Sequence, residues 1–225
     1  MKKYFSISNI IITVCVVTFI SGLLLYWSPN ISQYLIKSKG AREINISQAA
    51  MKNNLKKKTE FNVDDVAPLT TKELLSHQFS KTDLPGIGIL SIPDINLELP
   101  VFNGITSETM MYGAGTAKPN QVMGEGNYAL ASHTIFNTLD GEIMKNILFG
   151  NLINAQLGQS IFLTDKNKVY EYRIDNIYTA HVSQGNIIDN HDKKREITLY
   201  TYTTLTGNER LVVQGSLSNI KEYNA

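Results

Sequence analysis

Apolar positions change rhythm twice along this chain, and the changes divide it into three stretches. From Ile7 to Trp27 no residue is charged and most are Ile, Val, Leu or Phe. As a helix rising ~1.5 Å per residue, that run reaches ~30 Å, about one hydrocarbon core. Lys2 and Lys3 precede it, and Tyr26 and Trp27 sit where an interfacial aromatic belt would lie. The pattern predicts a cytoplasmic N-terminus over 1–6 and an uncleaved transmembrane anchor over 7–27. A cleavable signal peptide is the competing reading, but its apolar region would be shorter and no small-x-small site precedes Pro29. Lys37, Lys39 and Arg42 follow the span, so charge alone gives little orientation. With the N-terminus inside, everything after the span lies outside.

The second stretch, 28–83, reads as a stalk or linker. Tyr34, Leu35, Ile44, Ile46, Met51 and Leu55 fall at helical spacing among many polar residues, which predicts a marginal helix over Ser32 to Leu55. Lys56 to Asp83 is polar, contains Pro68 and predicts one short helix at Thr71 to Gln78.

From Gly86 the texture becomes short apolar runs cut by turn residues. Ile87, Ile89, Ile92, Ile95, Leu97, Leu99 and Val101 alternate around Pro93 and Pro100. Gly124 to Asn127 forms a turn before a strand at Tyr128 to Ala131. Met144 to Ile153 suits a short helix. Strands follow at Ser160 to Thr164, Val169 to Ile177, Tyr178 to Val182, Thr198 to Thr203 and Arg210 to Leu217, with Asp165 to Lys168 as a hairpin turn. Many short strands with few helices predict a mainly β domain over 84–225, a barrel or sandwich.

Composition narrows the function classes. A net charge of +1 and no basic stripe interleaved with aromatics give no case for nucleic acid. Lys56, Lys57 and Lys58 read as a solvated run. The single cysteine, Cys15, lies in the apolar span, so no intrachain disulfide can form and packing must supply stability. Asn45-Ile46-Ser47 is a glycosylation sequon, relevant only in a host that glycosylates.

Four histidines are candidates for chemistry. His133 ends an apolar strand abruptly, in Ala129-Leu130-Ala131-Ser132-His133, which sets a titratable ring at a strand end where loops build sites. A satisfied structural histidine is the plainer reading of that residue alone. His181 and His191 stand near Asp189 and Asp192, but their irregular spacing fits a solvated loop better than a metal cluster. His77 has no plausible partner and reads as surface. Tyr170, Tyr172 and Tyr178 fit packed strand faces.

Read together, the motifs resemble the sortase family, class A. Thr198-Leu199-x-Thr201 precedes position 202, Arg210 follows eight residues later, and Leu130-Ala131-Ser132-His133 lies far upstream. Ile89-x-Ser91-Ile92-Pro93, Gln121-Val122-Met123-Gly124, Leu148-Phe149-Gly150 and Ile161-x-Leu163-Thr164-Asp165 before Tyr170-x-Tyr172 match in order. The resemblance covers roughly Gly86 to Leu217 together with the anchor. It implies an eight-stranded β-barrel with short helices, held on the outer face of a Gram-positive membrane. It also implies cleavage of a Leu-Pro-x-Thr-Gly-type sorting signal of surface proteins and transfer to a cell-wall precursor amine, with no cofactor or metal. Carried over by position, His133 would be the general acid or base, Arg210 would hold substrate backbone and the oxyanion, and Thr201 would support the site.

Position 202 would carry the nucleophilic cysteine, and this chain has Tyr202 there. A phenol is mostly protonated at neutral pH and is a poorer acyl acceptor than a thiolate. Ser132, Thr201 and Thr203 are hydroxyls nearby, but none holds the nucleophile position. Three readings follow: a sortase A-like transpeptidase inactive at position 202, a non-catalytic protein that binds sorting signals, or a structural surface protein on a sortase-like barrel. Keeping both His133 and Arg210 disfavours the third, because neither is needed to fold a barrel.

Overall fold

Alternation along the chain decides the first strands, and a left-handed turn joins them. The computed structural model describes residues 7–61, 69–70, 84–137, 140–204 and 206–224. Strand β2 (Gly86–Ile92) buries Leu90 and Ile92, and β3 (Leu97–Phe102) answers it across an antiparallel ladder. Between them a 3₁₀ turn at Pro93–Ile95 is closed by Asn96, whose φ of 51° is one that asparagine tolerates better than most residues.

Continuing from β3 come β4 (Ala114–Thr116), β5 (Asn127–Ala131), β7 (Ser160–Thr164), β8 (Lys168–His181), β9 (Glu196–Tyr202) and β10 (Glu209–Glu222). With β2 and β3 they close a barrel in the order β10-β8-β7-β2-β3-β4-β5-β9. The pairs β3–β4 and β5–β9 are parallel and the rest antiparallel. A separate two-residue parallel pair joins β1 (Leu69–Thr70) to β6 (Ile135–Phe136). The mainly β, eight-stranded barrel expected from the sequence is present.

Two expected strands over 169–182 are one. β8 runs unbroken for 14 residues because β10 pairs along its whole length and absorbs the irregularities in two register shifts. Gly215 sits at one shift, where a Cβ would come within 2.9 Å of the Arg173 carbonyl. The helix expected over Met144 to Ile153 is displaced to a 3₁₀ segment, Leu148–Asn154. The chain doubles back there so tightly that a Cβ on Gly150 would meet the Met144 carbonyl at 2.4 Å, which a continuous α-helix cannot reproduce.

Side chains fill the barrel and also cover one outer face. Tyr128, Leu130, Ile197, Leu199 and Val213 point into the main core. Their alternate neighbours Ala129, Ala131, Tyr200, Tyr202 and Val212 form a second cluster outside the barrel, with Ile105 and Met110. Met110 lies on α3 (Ser107–Tyr112), a six-residue helix closed at its start by reciprocal bonds between Thr106 and Thr109.

The N-terminal helices differ from expectation. The segment expected as an anchor over 7–27 belongs to α1 (Ile7–Ile44), which runs on past Pro29. Among the described residues, no helix is long and apolar enough to cross a membrane. The stretch read as a stalk includes a docked part: Ile36 and Gly40 of α1 and Met51 of α2 (Gln48–Asn54) are buried against the barrel. Polar ties reinforce this, with Asn54 Nδ2 donating to the Gly86 carbonyl at 2.9 Å and Lys166 Nζ to the Ile46 carbonyl at 2.8 Å. Ser47 of the sequon is the N-cap of α2, its hydroxyl accepting from the Ala50 N–H at 3.2 Å. The helix expected at Thr71 to Gln78, and His77 with it, lies outside the described residues.

Docking of α2 makes a stability prediction that a free stalk would not. Met51→Ala should cost about 2–4 kcal/mol, the range for emptying a buried site of that size. Leu55→Ala, at a half-exposed position, should cost less than about 0.5 kcal/mol. Urea denaturation of the two variants checks this, and equal, negligible losses would show that α2 is not packed.

Candidate active site

The site is built where β5 ends beside β9. Their parallel register pairs Ala129 with Thr198 and Ala131 with Tyr200. Continued by two residues, it sets His133 alongside Tyr202, on the outer face that Ala129, Ala131 and Tyr200 share. Thr201 ties the two chains together just before Tyr202. Its hydroxyl donates to the Ser132 carbonyl at 2.8 Å and meets the Thr134 hydroxyl at 2.8 Å. Thr201 has one proton to give, so Thr134 is the donor in the second bond. Residues on both sides of His133 are thereby fixed to β9.

His133 is fastened through its own backbone as well. Its N–H donates to the Met110 carbonyl at 3.3 Å, and its carbonyl accepts from the Phe149 N–H at 3.2 Å. The ring is 1% exposed, and neither nitrogen has a partner that meets hydrogen-bond geometry among the described residues. Burial pushes the imidazole down from the ordinary 6.5 to about 4, against a weaker opposing pull from the Ser107 backbone. The ring is therefore neutral at physiological pH and can accept a proton.

Arg210 reaches the same face from β10. It is the cross-strand partner of Tyr202, and its Nη2 donates to the Tyr202 hydroxyl at 3.5 Å, a long contact. The guanidinium carbon lies 5.4 Å from the ring centres of both Tyr200 and Tyr202, within cation–π range. Arg210 and Tyr202 are both buried, and the arginine Nε has no partner among the described residues. Burial also pushes the Tyr200 phenol up to about 12, with Arg210 opposing the shift.

The structure thus pairs Tyr202 with Arg210 and ties Thr201 to the residues on either side of His133. Three contributors escaped the sequence reading: Tyr200 under the guanidinium, Thr134 on Thr201, and α3 against His133. Tyr200 carried a usable signal, since it precedes Tyr202 by two and must share its face. The other histidines stand apart. His191 Nδ1 makes a short bond to Glu196, and His181 bonds Ser183 at 2.8 Å. Among the described residues no three His, Cys, Asp or Glu side chains could hold a metal together.

Burial of a neutral histidine makes stability depend on pH. Between about 4 and 6.5 the unfolded chain binds a proton at His133 that the folded chain does not. This contribution therefore raises stability with pH across that window and loses it on acidification. A shift of this size corresponds to roughly 3 kcal/mol, at about 1.4 kcal/mol per pKa unit. His133→Asn should flatten the dependence by that amount, measured by denaturant unfolding at several pH values. Parallel profiles for the two proteins would show that the ring titrates normally.

Comparison with known proteins places this geometry. Residues 90–218 match the family model described as the sortase domain. Over 211 residues the chain is 36% identical to sortase A of Streptococcus agalactiae, covering 92% of this chain and 84% of that protein. It is 32% identical over 211 residues to sortase A of Bacillus anthracis, covering 92% of this chain and 94% of that one. Among solved structures, sortase A of Listeria monocytogenes superposes with a TM-score of 0.56 at 32% identity, over 62% of this chain and 91% of its own. With a matching barrel, a family model spanning more than half its length and relatives aligned nearly end to end, this chain belongs to the sortase family of cell-wall transpeptidases.

Proposed function

We propose that this chain is a membrane-anchored protein of the sortase A type that takes Leu-Pro-x-Thr-Gly-type sorting signals at His133 and Arg210, with Tyr202 standing at the nucleophile position and blocking turnover. The observation that carries the reading is the Tyr202–Arg210 pair. The guanidinium that would face an oxyanion lies against a phenol ring and its hydroxyl.

The chemistry expected of a thiol at 202 defines what the phenol removes. A thiol at 202 would pass its proton to His133 and attack the threonine carbonyl of the signal as a thiolate, forming a tetrahedral oxyanion facing Arg210. Collapse would break the bond to glycine, with the leaving amine taking that proton from His133. A cell-wall amine would then attack the thioester, its proton passing by way of His133 to the departing thiolate as the joined product is released. The phenol oxygen stands several bonds farther from the backbone than a cysteine sulfur would. Loss of a nucleophile typically costs several orders of magnitude in rate while leaving much of the binding surface in place. Signal binding without cleavage is the second reading. It is favoured by the partnerless His133 nitrogens and Arg210 Nε, which a peptide backbone could satisfy.

The anchor rests on the uncharged run from Ile7 to Trp27 and on how it is displayed. Ile11, Ile12, Val17, Phe19 and Trp27 all stand more than half exposed, and α1 has no one-sided apolar face. A helix apolar all round needs an apolar surrounding.

Two experiments test the proposal. The detergent-solubilised chain should show no cleavage of a Leu-Pro-x-Thr-Gly peptide, Tyr202→Cys should produce hydrolysis or transpeptidation, and a further His133→Ala should abolish it. Robust cleavage by the unaltered chain, or a folded but inert Tyr202→Cys variant, would refute the assignment of position 202. Protease added to intact protoplasts should digest residues 30–225. Protection until the membrane is broken would reverse the topology.

A further inference from the structure

The docked half of α1 meets α3 at Gly40. Gly40 is buried, and a Cβ there would lie 3.1 Å from the Tyr112 carbonyl and 3.6 Å from Pro100. One residue earlier, Lys39 Nζ donates to the Tyr112 hydroxyl at 3.0 Å and stands 4.4 Å from that ring's centre. Tyr112 is the last residue of α3 and is 1% exposed. Backbone approach and side-chain clamp therefore converge on one helix end.

The same helix holds the histidine. The Met110 carbonyl accepts from the His133 N–H at 3.3 Å. The one proton of the Ser132 hydroxyl goes to the carbonyl of Gly113, which follows α3, at 2.6 Å, with the Met110 carbonyl at 3.2 Å as the longer arm of the same bond. At the other end, the Ser107 backbone lies against the imidazole. A six-residue helix cannot hold itself in place, because so short a helix does not offset its own nucleation cost. Its position is set by the burial of Thr109, Met110, Met111 and Tyr112 and by β4, which follows it, and Lys39 with Gly40 adds a grip on its last residue.

We propose that Lys39 and Tyr112 are positioning residues for His133, coupling the membrane-proximal helix α1 to the imidazole through α3. Any movement of α1 off the barrel releases the C-terminal end of α3, which loosens the carbonyls that hold Ser132 and His133 and admits water to the ring. Among the described residues no charged side chain contributes to the histidine's lowered basicity, so water reaching the ring is the change that titration would register. The placement stands on geometry alone; only its catalytic consequence rests on the role given to His133 above.

The test reads the imidazole directly, by nuclear magnetic resonance titration of the histidine-labelled full chain in detergent. Lys39→Met and Tyr112→Phe should each raise the His133 pKa from about 4 by at least half a unit, with the double variant shifting no further than the larger single one. Lys39→Arg, which keeps a cationic donor, should restore most of the original value. Lys37→Met, at an exposed position on the same helix, should leave it unchanged. If a clamp variant fails to fold, Gly40→Ala gives a second route: it presses α1 away from the Tyr112 carbonyl with both clamp side chains intact and should produce the same shift. Folded clamp variants that titrate with the unaltered chain, or an equal shift from Lys37→Met, would overturn the proposal. In the Tyr202→Cys background the clamp variants should lower kcat more than they raise KM. A shifted titration with unchanged kcat would leave the positioning intact and remove His133 from the chemistry.

Discussion

Burial of β9 on both faces is the constraint from which the rest of this structure follows. All seven of its residues are buried. One face supplies Ile197 and Leu199 to the barrel interior, and the other supplies Tyr200 and Tyr202 to the outer cluster. A strand buried twice must be paired on both edges, because an unpaired backbone group away from water costs about as much as a lost hydrogen bond. Its two partners, β5 in parallel and β10 antiparallel, are the strands that bring His133 and Arg210. The site is therefore a consequence of how the barrel closes, and its geometry is fixed by ladder hydrogen bonds before any side chain is chosen.

Electrostatics then divides the site into unlike halves. On the β5 side a neutral imidazole sits dry, with its basicity lowered by burial. On the β10 side a permanent cation lies against two aromatic faces. Aromatic faces attract a guanidinium by roughly 0.5–2 kcal/mol, more where water is excluded. That attraction helps keep Arg210 buried where no carboxylate among the described residues pairs with it.

The strands and the site's principal residues were legible in the sequence for a common reason: both are written locally. Thr198 to Tyr202 shows its character within five residues, and His133 announces itself by ending an apolar run. The single strand β8 was harder to see because nothing local joins the run ending at Ile177 to the one beginning at Tyr178, whereas β10 pairs straight across both. The docking of α1 and α2 was not legible, since among the described residues of that stretch only Ile36, Gly40 and Met51 are buried, widely spaced among polar residues. What makes those positions contacts is a surface of β2, β3 and α3 that lies far along the chain.

The buried polar atoms of the site bear on what it was shaped to do. Two imidazole nitrogens and one guanidinium nitrogen lack partners among the described residues. Each such group costs about 1–3 kcal/mol when left unsatisfied, a large share of the 5–15 kcal/mol that stabilises an ordinary domain. A barrel needed only as a surface structure gains nothing from bearing that cost, since apolar side chains would pack the same positions without it. Polar atoms kept dry and rigid, with no partner among the described residues, are a cost that packing alone does not account for, and Tyr202 leaves them in place.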